Sequence, residues 1–259
     1  MPGSILTVDV GGSHVKALLS GMKEREKRKF PSGPHLTASQ MADGVLALVD
    51  GWSFDRVSIG IPAPVRGGKA VAEPVNLGEG WVGFDYEGVF RVPTRLVNDA
   101  VMQAIGSYEG GRMLFLGLGT GLGSALIVDG SLTPLELAHV PYRNGEYEDY
   151  VGLRGYEKYG KRKWRKLVRE VVRVLKAGLV ADYVVLGGGQ AKLLKKAPEG
   201  SRLGDNLNAF VGGQRLWDEP ARRPKRRTAR RPAARDEGGP LEVPAGELVP
   251  APVAEGDGQ

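Results

Sequence analysis

The sequence contains no cysteine. Disulfides and thiolate-bound zinc are therefore excluded. Histidine is scarce as well: His14, His35 and His139 are the only three, so a His-rich metal cluster is not expected. No apolar run approaches the ~20 residues that cross a bilayer. The first residues, MPGSILTVDVGG, lack a basic segment followed by a long apolar one, so no secretory signal and a cytoplasmic protein without membrane contact are expected. What is present is ordinary for a globular chain: 259 residues, 41% hydrophobic and 25% charged, enough for one large domain or two small ones.

The net charge is +6. From Asp218 onward eight Lys/Arg are matched by eight Asp/Glu, so the excess belongs to the preceding body, much of it between Lys158 and Lys176. A basic body suits an anionic partner, whether nucleotide, polyphosphate or nucleic acid. The same run also reads as a solvated helix face. Residues 218–259 are rich in Arg and Pro, then in Pro, Glu, Gly and Ala. Such a tail cannot bury enough surface to order itself, and disorder is expected there. Its ARRPKRRTARRPAAR segment suits polyanions bound with steep salt dependence, or is a solvated extension.

The most informative stretch is Leu116–Asp129, LGLGTGLGSALIVD. As a bare pattern it looks like a dinucleotide fingerprint, which requires a helix directly after the glycines. Here Ala125-Leu126-Ile127-Val128 is apolar and closes on Asp129-Gly130, so a second strand is predicted. The unit is a strand–glycine turn–strand hairpin whose amides can face an anion. Ser4–Ser20, SILTVDVGGSHVKALLS, reads the same way, which suggests duplicated halves. Further elements are predicted as a helix over 38–49, a strand over 56–61, a loop over 62–85, a strand over 94–97 and a helix from 99 to about 108. A turn over 130–134, a helix over 164–176, a strand over 182–186 and a helix over 190–196 complete the pattern. Apolar residues at 164, 167, 168, 171, 172 and 175 carry the helical spacing. This order favours an α/β fold of two similar lobes with a cleft between them.

Several residues stand where chemistry is done. Asp9 ends an apolar strand before Gly11-Gly12-Ser13. A carboxylate there can hold hydrated Mg²⁺ while the amides cradle phosphate, with Lys16 reaching the same anion; a plain capped hairpin is the alternative. Asn98-Asp99 follows a strand and opens a helix. Asp99 is there either an ordinary N-cap or a general base for phosphorylating a hydroxyl. Glu136 and His139, an acid and a neutral imidazole three apart, can converge on adjacent hydroxyls or be a surface acid and a packed histidine. Asn76, in NLGEGW beside Trp81, is placed as sugar sites often are. Gly187-Gly188-Gly189 permits close approach of a base or ribose.

Together DVGGSHVK (9–16), VNDA (97–100), LGTGLGSALIVDG up to Gly130, ELAH (136–139) and VVLGGG (184–189) resemble, in order, the motifs of the ROK sugar kinases within the actin-like/hexokinase-like ATPase superfamily. The similarity covers about 4–217 and is greatest to the polyphosphate glucokinase branch. It implies an α/β fold of two ribonuclease-H-like (actin-like ATPase) lobes, residues 1–97 and 98–217, with the last helix packing back on the first lobe. It implies a kinase acting on the 6-hydroxyl of glucose or a similar hexose, with Mg²⁺ and with ATP or polyphosphate as donor. Asp9, Gly11, Gly12, Ser13 and Lys16 would form the first phosphate loop, with Asp9 near the metal. Gly119, Thr120 and Gly121 would form the second, with Thr120 at the transferred phosphate. Asn76, Asn98, Asp99, Glu136 and His139 would bind sugar, with Asp99 as base. Gly188 and Gly189 would flank adenosine. For polyphosphate, Lys161, Arg162, Lys163, Arg165 and Lys166 offer a basic track. The family's Glu-x-Gly-His stands here as Glu136-Leu137-Ala138-His139, and the added methyl is expected to alter the pocket. Glu146, Glu148 and Asp149 are candidates for one further sugar carboxylate. A homodimer is left open. Two other readings remain: a sugar-binding regulator without catalysis, and a metal-dependent nuclease using Asp9 and Asp99.

Overall fold

The computed structural model describes residues 3–205 and 207–218; the tail expected to be disordered lies outside the described residues. The first half contains β1 (Ile5–Val10), β2 (His14–Leu19), β3 (Arg28–Pro31), α1 (Ala38–Leu48), β4 (Arg56–Ile61), the short pair β5 (Val65–Arg66) and β6 (Lys69–Ala70), α2 (Tyr86–Phe90) and β7 (Thr94–Asn98). The second contains α3 (Asp99–Ser107), β8 (Arg112–Leu118), β9 (Leu122–Val128), β10 (Ser131–Leu135), the pair β11 (Pro141–Tyr142) and β12 (Gly145–Glu146), α4 (Tyr147–Val151), α5 (Leu153–Gly178), β13 (Tyr183–Gly187), β14 (Ser201–Leu203) and α6 (Asn208–Arg215).

Two five-stranded sheets share one topology. Their orders are β3-β2-β1-β4-β7 and β10-β9-β8-β13-β14. In each, three antiparallel strands lead into two parallel ones. This is the duplicated, two-lobed α/β fold anticipated from the paired glycine hairpins. The central strands are covered on both faces: β1 and β4 each bury five of six residues, as near-continuous apolar runs do.

The helices follow from sequence signals. Thr37 caps α1, accepting from the Gln40 amide at 3.2 Å while the Gln40 side chain accepts from the Thr37 amide at 3.1 Å; such a box satisfies two otherwise orphaned donors. Ala38, Met41, Ala42 and Val45 then bury one face. On α5 the buried set includes Trp164, Leu167, Val168, Val171, Val172 and Leu175, the stripe read from the spacing. The helix begins eleven residues earlier than expected and bends at Gly160, whose φ of 69° departs from helical geometry.

Other expectations are corrected. The turn over 130–134 is instead β10, an edge strand that accommodates Pro134 because an edge position can forgo a ladder donor. The helix over 190–196 is a 3-10 segment, Gly189–Leu193. The loop over 62–85 contains the β5–β6 pair. Strands β3 and β14 and helices α2 and α6 carried too little periodicity to be read.

α6 crosses α3 at a glycine pair. A Cβ on Gly106 would lie 1.8 Å from the Asn208 carbonyl oxygen, and one on Gly212 1.8 Å from that of Met102. Arg215 donates from Nη1 to the carbonyls of Ile105, Gly106 and Tyr108, supplying the acceptors left open at the C-terminus of α3 with a cation. α6 also reaches the first sheet. Ser58 Oγ donates to the Gly213 carbonyl at 2.6 Å and Trp217 Nε1 donates to Ser58 Oγ at 2.8 Å.

Candidate active site

The two glycine turns face one another. A Cβ on Gly12 would stand 3.8 Å from Thr120 Oγ1. In the first turn Gly11 N donates to the His14 carbonyl at 3.0 Å and Ser32 Oγ to the Gly11 carbonyl at 2.6 Å; Gly12 and Ser13 are exposed. In the second, Gly119 N donates to the Gly121 carbonyl at 3.1 Å, and Leu153 N, at the start of α5, bonds the carbonyls of Gly119 and Thr120. Thr120 is exposed. The tight turns thus present small residues to the same space, as anion-binding amide clusters do.

Behind them stand two carboxylates, at the ends of β1 and β7, the strands on either side of β4. Asp9, 7% exposed, pairs across β1–β2 with Lys16, whose Nζ lies 2.8 Å from Oδ2. Asp9 is also level with Gly60 on β4, and Gly60 with Val97 on β7. A Cβ at Gly60 would come within 2.5 Å of Met102 Cε and 3.3 Å of Asp99 Cα, so this glycine lets α3 start close against the sheet. The helix cap falls to Asn98, whose Oδ1 accepts from the Ala100 and Val101 amides at 3.0 and 3.3 Å, while Nδ2 donates to the Ala63 carbonyl at 3.2 Å. Asp99 is thereby not needed as N-cap. Its Oδ1 accepts the neighbouring Ala100 amide, at 2.8 Å. Burial pushes the Asp99 carboxyl up to about 7, and the charge of Asp9 adds to the rise.

A second group lies beyond the Gly119–Gly121 turn. His139 Nδ1 is 2.9 Å from Glu146 Oε2, and this bond raises the imidazole above its ordinary value. A neutral imidazole was expected; the Glu146 contact instead favours the charged ring. Desolvation raises Glu136, with Glu148 adding and His139 opposing. Asp149 is taken up by the Glu146 amide at 3.1 Å. Glu148 is the carboxylate nearest the turn: a Cβ on Gly121 would lie 2.4 Å from its Oε2. One ligand atom each from His139, Glu146 and Glu148 lie within 4.8 Å of one another. The sequence left these three acids unranked because their order follows from the β11–β12 hairpin, which is too short to leave a periodic signal.

Two expectations need revision. Trp81 is fully buried and donates from Nε1 to the Gly78 carbonyl at 2.8 Å, so it is core and offers no face to a sugar; Asn76 beside it is exposed. Ala138 is 4% exposed within the second lobe's core, so the added methyl packs among apolar side chains. In the basic run, Arg165 Nε donates to the Leu193 carbonyl at 2.7 Å and Lys163 Nζ lies 4.6 Å above the Tyr159 ring; Lys161, Arg162 and Lys166 are exposed.

The glycines at 187–189 have distinct reasons. A Cβ on Gly187 would meet Phe115 at 2.5 Å and one on Gly188, with φ of 81°, the Leu118 carbonyl at 2.3 Å, whereas Gly189 faces open space. Beside them a cavity of about 180 Å³ is lined by Gln103, Gly187, Gly188, Lys192, Leu203 and Asp205 among others.

Two mixed sheets of the same order, with glycine hairpins opposed, define the ribonuclease-H-like, two-lobed fold of the ROK kinases. The chain belongs to the ROK family, whose model matches residues 5–134. It is 27% identical over 207 residues to the polyphosphate glucokinase of Mycobacterium leprae, a match covering 70% of this chain and 62% of that relative. In fold it is similar to the inorganic polyphosphate/ATP-glucomannokinase of Arthrobacter sp. strain KM (TM-score 0.68, 21% identity, 81% of this chain and 96% of that one). It is also similar to a ROK family glucokinase from Streptomyces griseus solved with glucose and AMPPNP (TM-score 0.64, 17% identity, 83% and 99%).

Proposed function

We propose that this protein is a sugar kinase that transfers a terminal phosphoryl group to the 6-hydroxyl of glucose or a similar hexose. The observation that carries this reading is the opposition of Gly12 and Thr120, with the Asp99 carboxyl, raised to about 7, at the end of β7. A base near neutral pH is matched to accepting a hydroxyl proton. In the reaction Asp99 takes the proton from the sugar hydroxyl as its oxygen attacks the terminal phosphorus. The bond from phosphorus to the donor's bridging oxygen breaks, and the donor leaves one phosphate shorter. The turns at Gly11–Ser13 and Gly119–Gly121 hold the transferred group, with Thr120 and Lys16 donating to its oxygens. Such positioning and charge stabilisation supply most of the catalysis in phosphoryl transfer.

Asp9 suits Mg²⁺. Its Oδ2 is held by Lys16, and its Oδ1 has no hydrogen-bond partner among the described residues, which leaves a hard oxygen ligand of the kind this ion takes. When bound there, Mg²⁺ would offset charge on the donor's last phosphates. Asn76, Asn98, Glu136, His139 and Glu148 are assigned to the sugar, with Glu148 chosen over its neighbours because Glu146 and Asp149 are hydrogen-bonded, whereas Glu148 has only a long ion pair, 3.9 Å to Arg154. We place the lobe boundary at 97/98, and closure of the lobes would exclude water from the donor.

Both donors have support. The cavity at Gly187–Gly188 suits adenosine, and Lys161, Arg162 and Lys166 suit polyphosphate. A matrix of hexoses against ATP and polyphosphate tests the reading; no transfer to any hexose from either donor would refute it. A nuclease would use the same two carboxylates, but opposed glycine turns favour a phosphate donor held at its end. Absence of Mg²⁺-dependent nicking is the matching expectation.

A further inference from the structure

A second cavity, of about 360 Å³, lies between the β11–β12 hairpin and α5. Arg143, Asn144, Tyr150, Tyr159, Lys163 and Leu167 line it: two cations, an amide, two phenols and one aliphatic floor, with no carboxylate. Several of its donors are unspent. Arg143, at the hairpin tip with φ of 56°, bonds both oxygens of Glu170 through Nη2 alone, at 2.9 and 2.8 Å. Its Nη1 and Nε have no hydrogen-bond partner among the described residues, and neither does Asn144 Nδ2, while the Asn144 backbone amide donates to Tyr150 Oη at 3.3 Å. Lys163 has no carboxylate within ion-pair distance among them; its ammonium rests on Tyr159, which stacks on Tyr150 at 5.5 Å. α5 itself carries ten Lys/Arg against two acids, so the local field favours an anion. The volume falls within the few hundred Å³ usual for small-ligand sites.

The hairpin also leads back to the sugar side of the cleft. Tyr142 pairs with Gly145, and Pro141 with Glu146, whose carboxylate holds His139. We propose that this cavity is a second phosphoryl-anion site, separate from the two glycine turns, which binds a terminal or esterified phosphate between Arg143, Asn144 and Lys163 and adjusts His139 through the hairpin. The binding stands without the kinase reading; the effect on the sugar rests on it.

Isothermal titration of the full chain with inorganic tripolyphosphate, and separately with glucose 6-phosphate, reads the binding. The expected result is two classes of site. Lys163→Gln with Asn144→Ala weakens one at least tenfold, while Lys16→Gln affects the other. The arm that retains the Lys163-dependent class identifies the source, polyphosphate end or phosphate ester. A single class abolished by Lys16→Gln, or isotherms unchanged in the cavity variant, would overturn the proposal. A measurement on the unaltered protein guards against misfolding of the variant. Saturating tripolyphosphate should slow acetylation of Lys163, read by peptide mass spectrometry, and equal acetylation with and without the anion overturns it. For the coupling, glucose 6-phosphate should shift the hexose KM by more in the unaltered chain than in the cavity variant, where only competition at the sugar site remains. Equal shifts in the two overturn the coupling. Inactivity on every hexose refutes the kinase reading, and the titration still decides this one.

Discussion

Asp99→Asn separates catalysis from stability at one atom. The carboxyl titrates near 3.8 when free and about 7 in the fold, raised first by burial and then by Asp9. Because the folded value is the higher one, the neutral acid is the form the fold prefers. Asp99 therefore costs stability as pH rises through 7, and nothing below about 3.8. Three units at 1.36 kcal/mol each set a ceiling of about 4 kcal/mol at pH 8. Asparagine keeps the oxygen that accepts the Ala100 amide and removes the charge. At roughly 2–4 °C per kcal/mol for a chain of this size, its Tm at pH 8 should exceed that of the unaltered protein by up to about 16 °C. The gap should close towards pH 4. In the kinase assay the same variant should lose about 10²–10⁴ in kcat, the usual share of a general base, with sugar binding retained. The unaltered enzyme should lose kcat/KM on the acid side with an apparent pKa near 7. A Tm difference that is the same at pH 4 and pH 8, or full turnover in Asp99→Asn, would refute the reasoning.

Other expectations are as direct. Gly106→Ala places a methyl 1.8 Å from the Asn208 carbonyl, where backbone meets backbone and neither can yield; thermal melting should show a loss of about 3 kcal/mol or more, at the upper end of overpacking, and an unchanged Tm would discount the α3–α6 crossing. Trp81→Ala should cost about 3–5 kcal/mol in chemical denaturation, since the ring is fully buried; loss of sugar affinity without loss of stability would return Trp81 to the site. Glu146→Gln should lower the His139 pKa, because the bond between them is the largest cause of its rise; NMR of the imidazole reads it, and an unmoved titration contradicts the pairing. Neutralising Lys161, Arg162 and Lys166 should weaken polyphosphate use, reduce its salt sensitivity and spare ATP use, whereas equal rates on polyphosphate would remove the track.

The legible parts of this protein were those written in local pattern. Two glycine hairpins a little over 100 residues apart announced a duplicated fold, and the stripe on α5 matched its buried face. The illegible parts were short or edge elements. β3, β14 and α6 have few residues and no clear period, and β10 carries a proline that looks like a turn until the sheet edge is seen. In the site, the residues at strand ends were readable because a carboxylate after an apolar run is conspicuous. Their duties were not. Asn98 takes the cap and releases Asp99; Trp81 belongs to the core; Arg165 is tied to Leu193.

By itself the sequence determined the hairpins, the principal strands and helices and the identity of the ionisable groups, because spacing, capping and burial pattern act over a few residues. Only the tertiary structure decided which groups meet. Gly12 approaches Thr120 across more than 100 residues, and Asp9 stands near enough to Asp99 to raise its pKa. Glu148 reaches Gly121 while Glu146 holds His139. Desolvation and charge coupling depend on those through-space distances, which are fixed by the packing of sheets and helices and leave no period in the chain.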